Sequence, residues 1–142
     1  MIAFDTNLLF AALEPSHADF RAARGWLESL EGDVAISELV LMELYVLVRN
    51  PAVARRPLSP AAAVELVERL RSHPRWRLLD TPEGLMTEVW AKAASPGFGR
   101  RRVFDARLGL SLVRQGVRDF ATRNVRDFQD LGFHRVFDPL AA

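Results

Sequence analysis

The chain has 142 residues, of which 49% are hydrophobic and 26% are charged, and its formal net charge at pH 7 is +1. This composition is typical of one soluble domain that buries a core, and the near-neutral charge argues against a globally basic nucleic-acid binder. The absence of Cys excludes disulfides, thiolate catalysis and Cys-based zinc sites, and no segment resembles a membrane span or a secretory signal, so we expect a cytoplasmic protein with no membrane partner.

The first segment, Met1 to Asn7, joins a short apolar run to an abrupt polar end. The apolar residues are able to form a buried strand, whereas Asp, Thr and Asn prefer turns and helix starts. We therefore expect Asp5 at the carboxyl end of a central strand, the end that faces the ligand crevice in open α/β sheets. A buried carboxylate there needs a partner such as a metal ion. Alternatively, Asp5 is only a helix cap or part of an Asx turn.

Hydrophobic spacing and helix caps then predict alternating helices and strands. The first half has a helix over 16–30, a strand over 34–36, a helix from Ser37 to about Arg49, a helix from Pro60 with Val64, Val67 and Leu70 on its inner face, and a strand over 76–79. The second half has a helix after Thr81-Pro82, a helix from near Phe104 to Gly116, and strands over 120–122 and 136–137.

Such alternation is typical of parallel βαβ units, in which both faces of the sheet are covered. Residues 51–60 form the largest irregular insertion, but the segments on both sides of it belong to one core. We therefore predict an α/β fold with a central parallel sheet of four or five strands, flanked by helices on both sides, in a single domain over residues 1–142.

Four acidic residues follow predicted strands or lie in predicted helices. The helix that carries Glu43 is apolar nearly all round, so we expect it to be largely buried and Glu43 to be paired, protonated or cation-bound, unless Glu43 faces the surface. Asp105 lies at a helix start and Asp127 lies just past a strand, where each is alternatively a cap or loop residue. Because loops after different parallel strands reach one crevice, these three acids and Asp5 are expected to converge. Hard divalent ions such as Mg²⁺ or Mn²⁺ relieve the repulsion among such carboxylates.

The densest basic cluster is Arg100, Arg101 and Arg102, which follows a Gly- and Pro-containing loop. A solvated charged loop is one interpretation. The other is a loop that contacts RNA phosphate, because the guanidinium fork binds phosphate through two hydrogen bonds.

The acidic motifs resemble, in their order and spacing, those of PIN-domain ribonucleases, and more narrowly the VapC-type toxins of bacterial toxin–antitoxin modules. The resemblance is carried by Asp5-Thr6-Asn7, Met42-Glu43-Leu44, Phe104-Asp105-Ala106 and the stretch 122–128. It implies a PIN fold and endonucleolytic RNA cleavage that depends on Mg²⁺ or Mn²⁺.

The same resemblance implies roles for individual residues. Asp5, Glu43 and Asp105 would be the core metal ligands, and Asp127 would be the fourth acid unless the position of Asn124 fills that place. The side chains that would line the site are Thr6, Asn7, Thr122 and Asn124. One metal ion or two are both compatible with this set. The resemblance also implies a homodimer and a cognate antitoxin protein that covers the acidic site.

Two other functions are compatible with parts of the sequence. A PIN scaffold without catalysis would act only as an interaction module, although the presence of all four acids argues against it. A phosphoaspartate-type α/β hydrolase would carry a second Asp two residues after the first, where this chain has Asn7. A dinucleotide-binding role is excluded because no Gly-x-Gly-x-x-Gly turn follows the first strand.

Overall fold

Five short parallel strands form the centre of the structure, a computed structural model that describes residues 1–141. The strands are β1 (Ile2–Phe4), β2 (Val34–Ser37), β3 (Trp76–Leu79), β4 (Asp119–Ala121) and β5 (Arg135–Phe137). Their order in the sheet is β3-β2-β1-β4-β5, and each neighbouring pair is parallel. The predicted α/β fold with a central parallel sheet is confirmed. The chain order reverses at β1, which is where open α/β sheets place their ligand crevice.

Within residues 1–141, six helices accompany the sheet. They are α1 (Thr6–Leu13), α2 (Phe20–Glu28), α3 (Glu38–Val48), α4 (Pro60–Arg71), α5 (Leu85–Ala93) and α6 (Arg102–Arg114), and a 3₁₀ turn covers Val125–Asp127. Two predicted caps are confirmed, because the Ser37 hydroxyl accepts from the Leu39 amide and the Ser59 hydroxyl accepts from the Ala62 amide. No helix within residues 1–141 is long and apolar enough to cross a membrane.

Two helices near the start of the chain differ from the prediction. Helix α1 was not predicted, because it is buried on nearly all sides and so lacks the amphipathic period that marks a surface helix. The predicted helix over 16–30 is shorter and begins only at Phe20. The Asp19 amide ahead of it donates to His17 Nδ1, so the predicted start near Ser16 is replaced by a turn.

Helix α3 is not the buried helix that was predicted. One side contributes Val40, Leu41 and Leu44 to the core, but Met42 is 63% exposed and Val46 is 62% exposed. The expectation failed because a sequence that is apolar all round gives no period from which to choose the inner face. In α4, similarly, Val64 is 49% exposed rather than on the inner face.

Backbone hydrogen bonds keep the carboxyl ends of the central strands together beyond the last strand residues. The Asp5 amide donates to the Ala121 carbonyl at 2.9 Å, and the Thr122 amide donates to the Phe137 carbonyl at 2.9 Å. Phe4 and Phe120 fill the core just below this edge. The fold therefore fixes Asp5 beside Thr122, although 117 positions separate them in the sequence.

Candidate active site

Asp5 is held rigidly at the end of β1. Only 7% of the residue is exposed. Its Oδ1 accepts from the Thr6 amide at 2.8 Å, and its Oδ2 accepts from the Thr122 hydroxyl at 2.7 Å. The Thr122 Oγ1 in turn accepts from the Asn124 amide at 2.9 Å. Asp5 is therefore the N-cap of α1 and also a buried carboxylate at the predicted crevice, so the two interpretations of this residue are compatible.

Burial is the main reason why the pKa of Asp5 is raised. The hydrogen bonds from the Thr122 hydroxyl and the Thr6 amide lower this pKa, and the negative charge of Asp127 raises it further. A carboxylate in this position binds a proton or a cation more readily than a carboxylate in water does.

Glu43 projects from α3 toward the same edge of the sheet. The residue as a whole is exposed, but neighbouring groups desolvate its carboxyl group, and this is the largest cause of its raised pKa. The charge of Asp5 raises the pKa of Glu43 next, and Asp105 and Arg107 have smaller, opposite effects. The buried Thr6 hydroxyl is close enough to lower this pKa, yet it makes no hydrogen bond of ordinary geometry within residues 1–141.

Asp105 lies in the first turn of α6, and its pKa is raised to about 6. Desolvation is the largest cause, followed by the charges of Asp127 and Asp5, while Arg102 acts in the opposite direction. Asp127, in the 3₁₀ turn after β4, thus acts on both Asp5 and Asp105. The structure therefore brings the four predicted acids, Asp5, Glu43, Asp105 and Asp127, into one cluster whose charges act on one another.

The ligand atoms of this acidic cluster suit a hard cation, but the side chains lie too far apart to hold one in their present positions. All its donors are carboxylate oxygens, the ligand type that Mg²⁺ and Mn²⁺ prefer. In the part of the chain that the structure describes, no three acidic or His side chains already lie close enough together to hold one ion. The residues fit a divalent metal, and binding it would require their side chains to draw together.

A cleft of about 490 Å³ opens beside Glu43 and Asp105. The remaining residues that line it are Leu39, Met42, Val46, Arg101, Phe104, Arg107 and Leu108. Sequence reasoning missed Arg107 and the exposed ring of Phe104. The three-residue spacing of Arg101, Phe104 and Arg107, which places residues on one side of a helix, was the available signal.

The three arginines of the basic cluster have different surroundings. Arg100 and Arg101 are exposed, and Arg101 lines the cleft. Arg102 is only partly exposed, and its guanidinium is hydrogen-bonded to the protein. Asn7 holds the segment that follows β4, because its Oδ1 accepts from the Arg123 amide at 3.4 Å.

A second cleft, of about 410 Å³, contains none of the four acids. Its carboxylate is Glu14, which is buried and already accepts from the Arg55 amide at 2.7 Å. Glu14 therefore ties the 51–59 insertion to the end of α1, and we assign it a structural role.

Comparison with known proteins identifies the family of the chain. The model of the PIN domain family matches residues 2–132. Over 144 aligned residues, covering 100% of this chain and 99% of the other, the sequence is 47% identical to Ribonuclease VapC24 of Mycobacterium tuberculosis. The chain belongs to the PIN-domain family and is of the VapC type. The family resemblance predicted from the four acidic motifs is confirmed.

Solved structures of other proteins show the same fold at low sequence identity. VapC20 of Mycobacterium tuberculosis, described as a toxin that cleaves the sarcin–ricin loop, superposes with a TM-score of 0.67 at 18% identity, over 84% of this chain and 87% of that one. A toxin–antitoxin complex from Klebsiella pneumoniae superposes with a TM-score of 0.61 at 18% identity, with both chains fully covered.

Proposed function

We propose that the protein is a metal-dependent endoribonuclease that acts as the toxin of a toxin–antitoxin pair. The observation that carries the proposal is the coupled cluster of Asp5, Glu43, Asp105 and Asp127, in which each acid interacts with at least one other. The full-length similarity to a protein named as a ribonuclease supports RNA as the substrate. A purely structural role does not explain why a fold would collect four like charges at the crevice of its sheet.

Within this proposal, Asp5 is the fixed ligand. Its two hydrogen bonds hold the carboxylate in one orientation before any cation arrives. Glu43 and Asp105 approach the same point from α3 and α6. We assign the fourth position to Asp127 rather than to Asn124, because the charge of Asp127 acts on both Asp5 and Asp105. When bound, Mg²⁺ or Mn²⁺ would lower the pKa of a water molecule and neutralise charge on the phosphodiester.

The exposed guanidinium groups at the rim supply contacts for RNA phosphate. Arg101 lines the acidic cleft and Arg100 precedes it on the same loop. Phosphate contacts of this kind fix the position of the RNA without reading its sequence. Arg101 thus favours a substrate path along the cleft and past the carboxylates.

The exposed apolar side of the cleft is suited to protein partners. We define this face by Met42, Val46 and Phe104, which are 63%, 62% and 65% exposed. Contiguous exposed apolar groups are costly in water and mark interaction surfaces. We propose that a second copy of the chain covers this apolar side in a homodimer, and that an antitoxin protein covers the acidic side of the same cleft, at Glu43 and Asp105.

Metal binding and dimer formation are tested by separate measurements in solution, and the first is metal binding. Calorimetry with Mn²⁺ is expected to show binding to the wild-type protein and weak or absent binding to Asp5→Asn, with the fold retained. Absence of binding to the wild type would instead support a PIN scaffold that acts only as an interaction module.

Light scattering after size exclusion is expected to show a dimer for the wild type and a monomer for Val46→Glu. Glu65→Gln, an exposed change on α4, is the control and is expected to remain dimeric. A dimer that persists in Val46→Glu would remove this face as the interface.

A further inference from the structure

Arg102 connects two of the elements that carry the acidic cluster. It lies in the first turn of α6, three residues before Asp105, and its side chain is 24% exposed. Its Nη2 donates to the backbone carbonyl of Asp127 at 2.8 Å and to Asp130 Oδ1 at 2.7 Å. The guanidinium also lies over the Phe98 ring, 5.1 Å from its centre. One nitrogen therefore joins the start of α6 to the loop that contains the fourth acid.

The segment that carries Asp127 has little regular structure to hold it. Its own backbone hydrogen bonds are local, from the Asp127 amide to the Asn124 carbonyl at 3.1 Å and from the Phe128 amide to the Val125 carbonyl at 3.2 Å. The buried ring of Phe128 anchors it to the core. Lys92 on α5 supports the far end by donating to the Asp130 carbonyl at 3.0 Å. At Asp127 itself, Arg102 makes the contact between this segment and α6, through its hydrogen bond to the Asp127 carbonyl.

The contact between Arg102 and the Asp127 loop places a positive charge near the carboxylates of Asp105 and Asp127. The negative charge of Asp127 raises the pKa of Asp105, so the two carboxylates disfavour each other when both are ionised. The Arg102 guanidinium is a permanent cation beside both segments. Its hydrogen bond to the Asp127 carbonyl leaves the Asp127 carboxylate free, and its ion pair is made with Asp130 instead.

We propose that Arg102 is a positioning residue that holds the Asp127 loop against α6 and so keeps the fourth carboxylate beside Asp105 for metal binding. The inference rests on the proposed function for the purpose of that placement. It assigns to Arg102 a role different from that of Arg100 and Arg101, since its guanidinium is ion-paired within the protein and only 24% of its side chain is exposed, whereas Arg100 and Arg101 are exposed.

The test compares Arg102→Ala with Arg114→Ala. Arg114 is a matched control at the opposite end of the same helix, where it pairs with Glu88 at 3.5 Å and donates to the Glu83 carbonyl at 3.1 Å. Neither partner belongs to the acidic cluster. Mn²⁺ affinity is measured by calorimetry, and backbone hydrogen exchange is followed over 123–131. We expect Arg102→Ala to bind Mn²⁺ about tenfold more weakly and to exchange faster over 123–131, and Arg114→Ala to change neither.

Two further variants separate positioning from simple stabilisation. Arg102→Lys keeps the positive charge but loses the planar guanidinium and two of its five N–H donors, and it is expected to recover part of the Mn²⁺ affinity. Asp130→Asn keeps the hydrogen-bond acceptor but weakens the ion pair, and it is expected to lie between Arg102→Ala and the wild type. If both Arg→Ala variants lower the melting temperature equally and neither alters Mn²⁺ affinity, Arg102 is only a stabilising ion pair and the proposal is overturned.

Two other results are distinguishable from these. Unchanged exchange over 123–131 in Arg102→Ala overturns the positioning role even if the wild type binds no Mn²⁺ and the proposed function fails. Weaker RNA binding in Arg102→Ala, with unchanged Mn²⁺ affinity and unchanged exchange, identifies Arg102 as a phosphate contact and also overturns the proposal.

Discussion

Replacing Asp105 with Asn removes one negative charge from the acidic cluster and preserves the size of the side chain. The pKa of Asp105 is raised from 3.8 to about 6, which at ~1.4 kcal/mol for each tenfold change corresponds to a ceiling of about 3 kcal/mol. Asp105 is partly exposed, so solvent screens much of this energy. The first turn of a helix also favours a negative charge by roughly 0.5 kcal/mol. We therefore expect Asp105→Asn to stabilise the metal-free protein by about 1 kcal/mol at neutral pH.

The pH dependence of this gain follows from the direction of the pKa shift. An acid whose pKa is higher in the folded state holds its proton more tightly there, so its contribution to stability is present below pH 3.8 and is lost as the pH rises through about 6. The advantage of the Asn variant should accordingly be near zero at pH 4, grow between pH 4 and 6, and be complete at pH 7. The raised pKa values of Asp5 and Glu43 change the stability of the wild type in the same direction.

Thermal unfolding in EDTA at pH 4, 5, 6 and 7.5 measures this directly. A gain of about 1 kcal/mol corresponds to a rise of roughly 3 °C in Tm for a domain of this size. Adding Mn²⁺ at pH 7.5 should reverse the order, because ligand binding stabilises only the protein that retains the site. An Asn variant that is less stable than the wild type in EDTA at pH 7.5, or a difference that does not vary with pH, would refute the reasoning.

Three further predictions concern separate parts of the molecule. Thr122→Val removes the hydroxyl that donates to buried Asp5, and it should lower the free energy of unfolding in urea by about 1–3 kcal/mol. The control is Thr87→Val, an exposed change that should alter stability by less than about 0.5 kcal/mol. Equal losses in the two variants would argue against the hydrogen bond between Asp5 and Thr122. Gly109→Ala places a Cβ 2.5 Å from Leu131 Cδ1, and because Leu131 is buried the overpacking should cost about 1–3 kcal/mol. The helix propensity of Ala in α6 recovers about 1 kcal/mol of this, so we expect a net loss of up to about 2 kcal/mol. Gly25→Ala, in helix α2 with open space around it, should instead stabilise by about 0.5–1 kcal/mol. Equal gains in the two variants would show that Leu131 moves freely. Replacing both Arg100 and Arg101 by Ala in an Asp5→Asn background should reduce the salt slope of RNA binding by about 1.4 without altering the stability of the fold, and a slope equal to that of the background would exclude both as phosphate contacts.

Local chemistry predicted most of the scaffold. The Ser37 and Ser59 caps, the strand that ends at Asp5 and the strand over 76–79 each depend on a few adjacent residues, and the structure confirms them. Helix α1 was not predictable from periodicity, because a short helix buried on all sides and a buried strand give the same apolar run. The exposed side of α3 was hidden for the same reason.

The acidic residues of the candidate site could be proposed from the sequence, but the hydrogen bonds that hold them in place could not. Asp5, Glu43, Asp105 and Asp127 were indicated by their places after predicted strands or in predicted helices, and by the order of the motifs that contain them. The hydrogen bond from Thr122 to Asp5 joins residues 117 positions apart, and Arg102 reaches Asp130 across 28. No pattern in a single sequence specifies such pairings, because they depend on how the finished elements pack.

Cleavage of a pool of structured RNA in the presence of Mn²⁺ is the most direct test of the central claim. Identical reactions with EDTA, and with Asp5→Asn in place of the wild type, are the controls. The account predicts discrete RNA fragments from the wild type with Mn²⁺ and intact RNA in both controls. Cleavage that persists in EDTA or in Asp5→Asn would contradict a metal-dependent reaction at the acidic cluster, and intact RNA with a wild-type protein that binds Mn²⁺ would contradict ribonuclease activity on this pool.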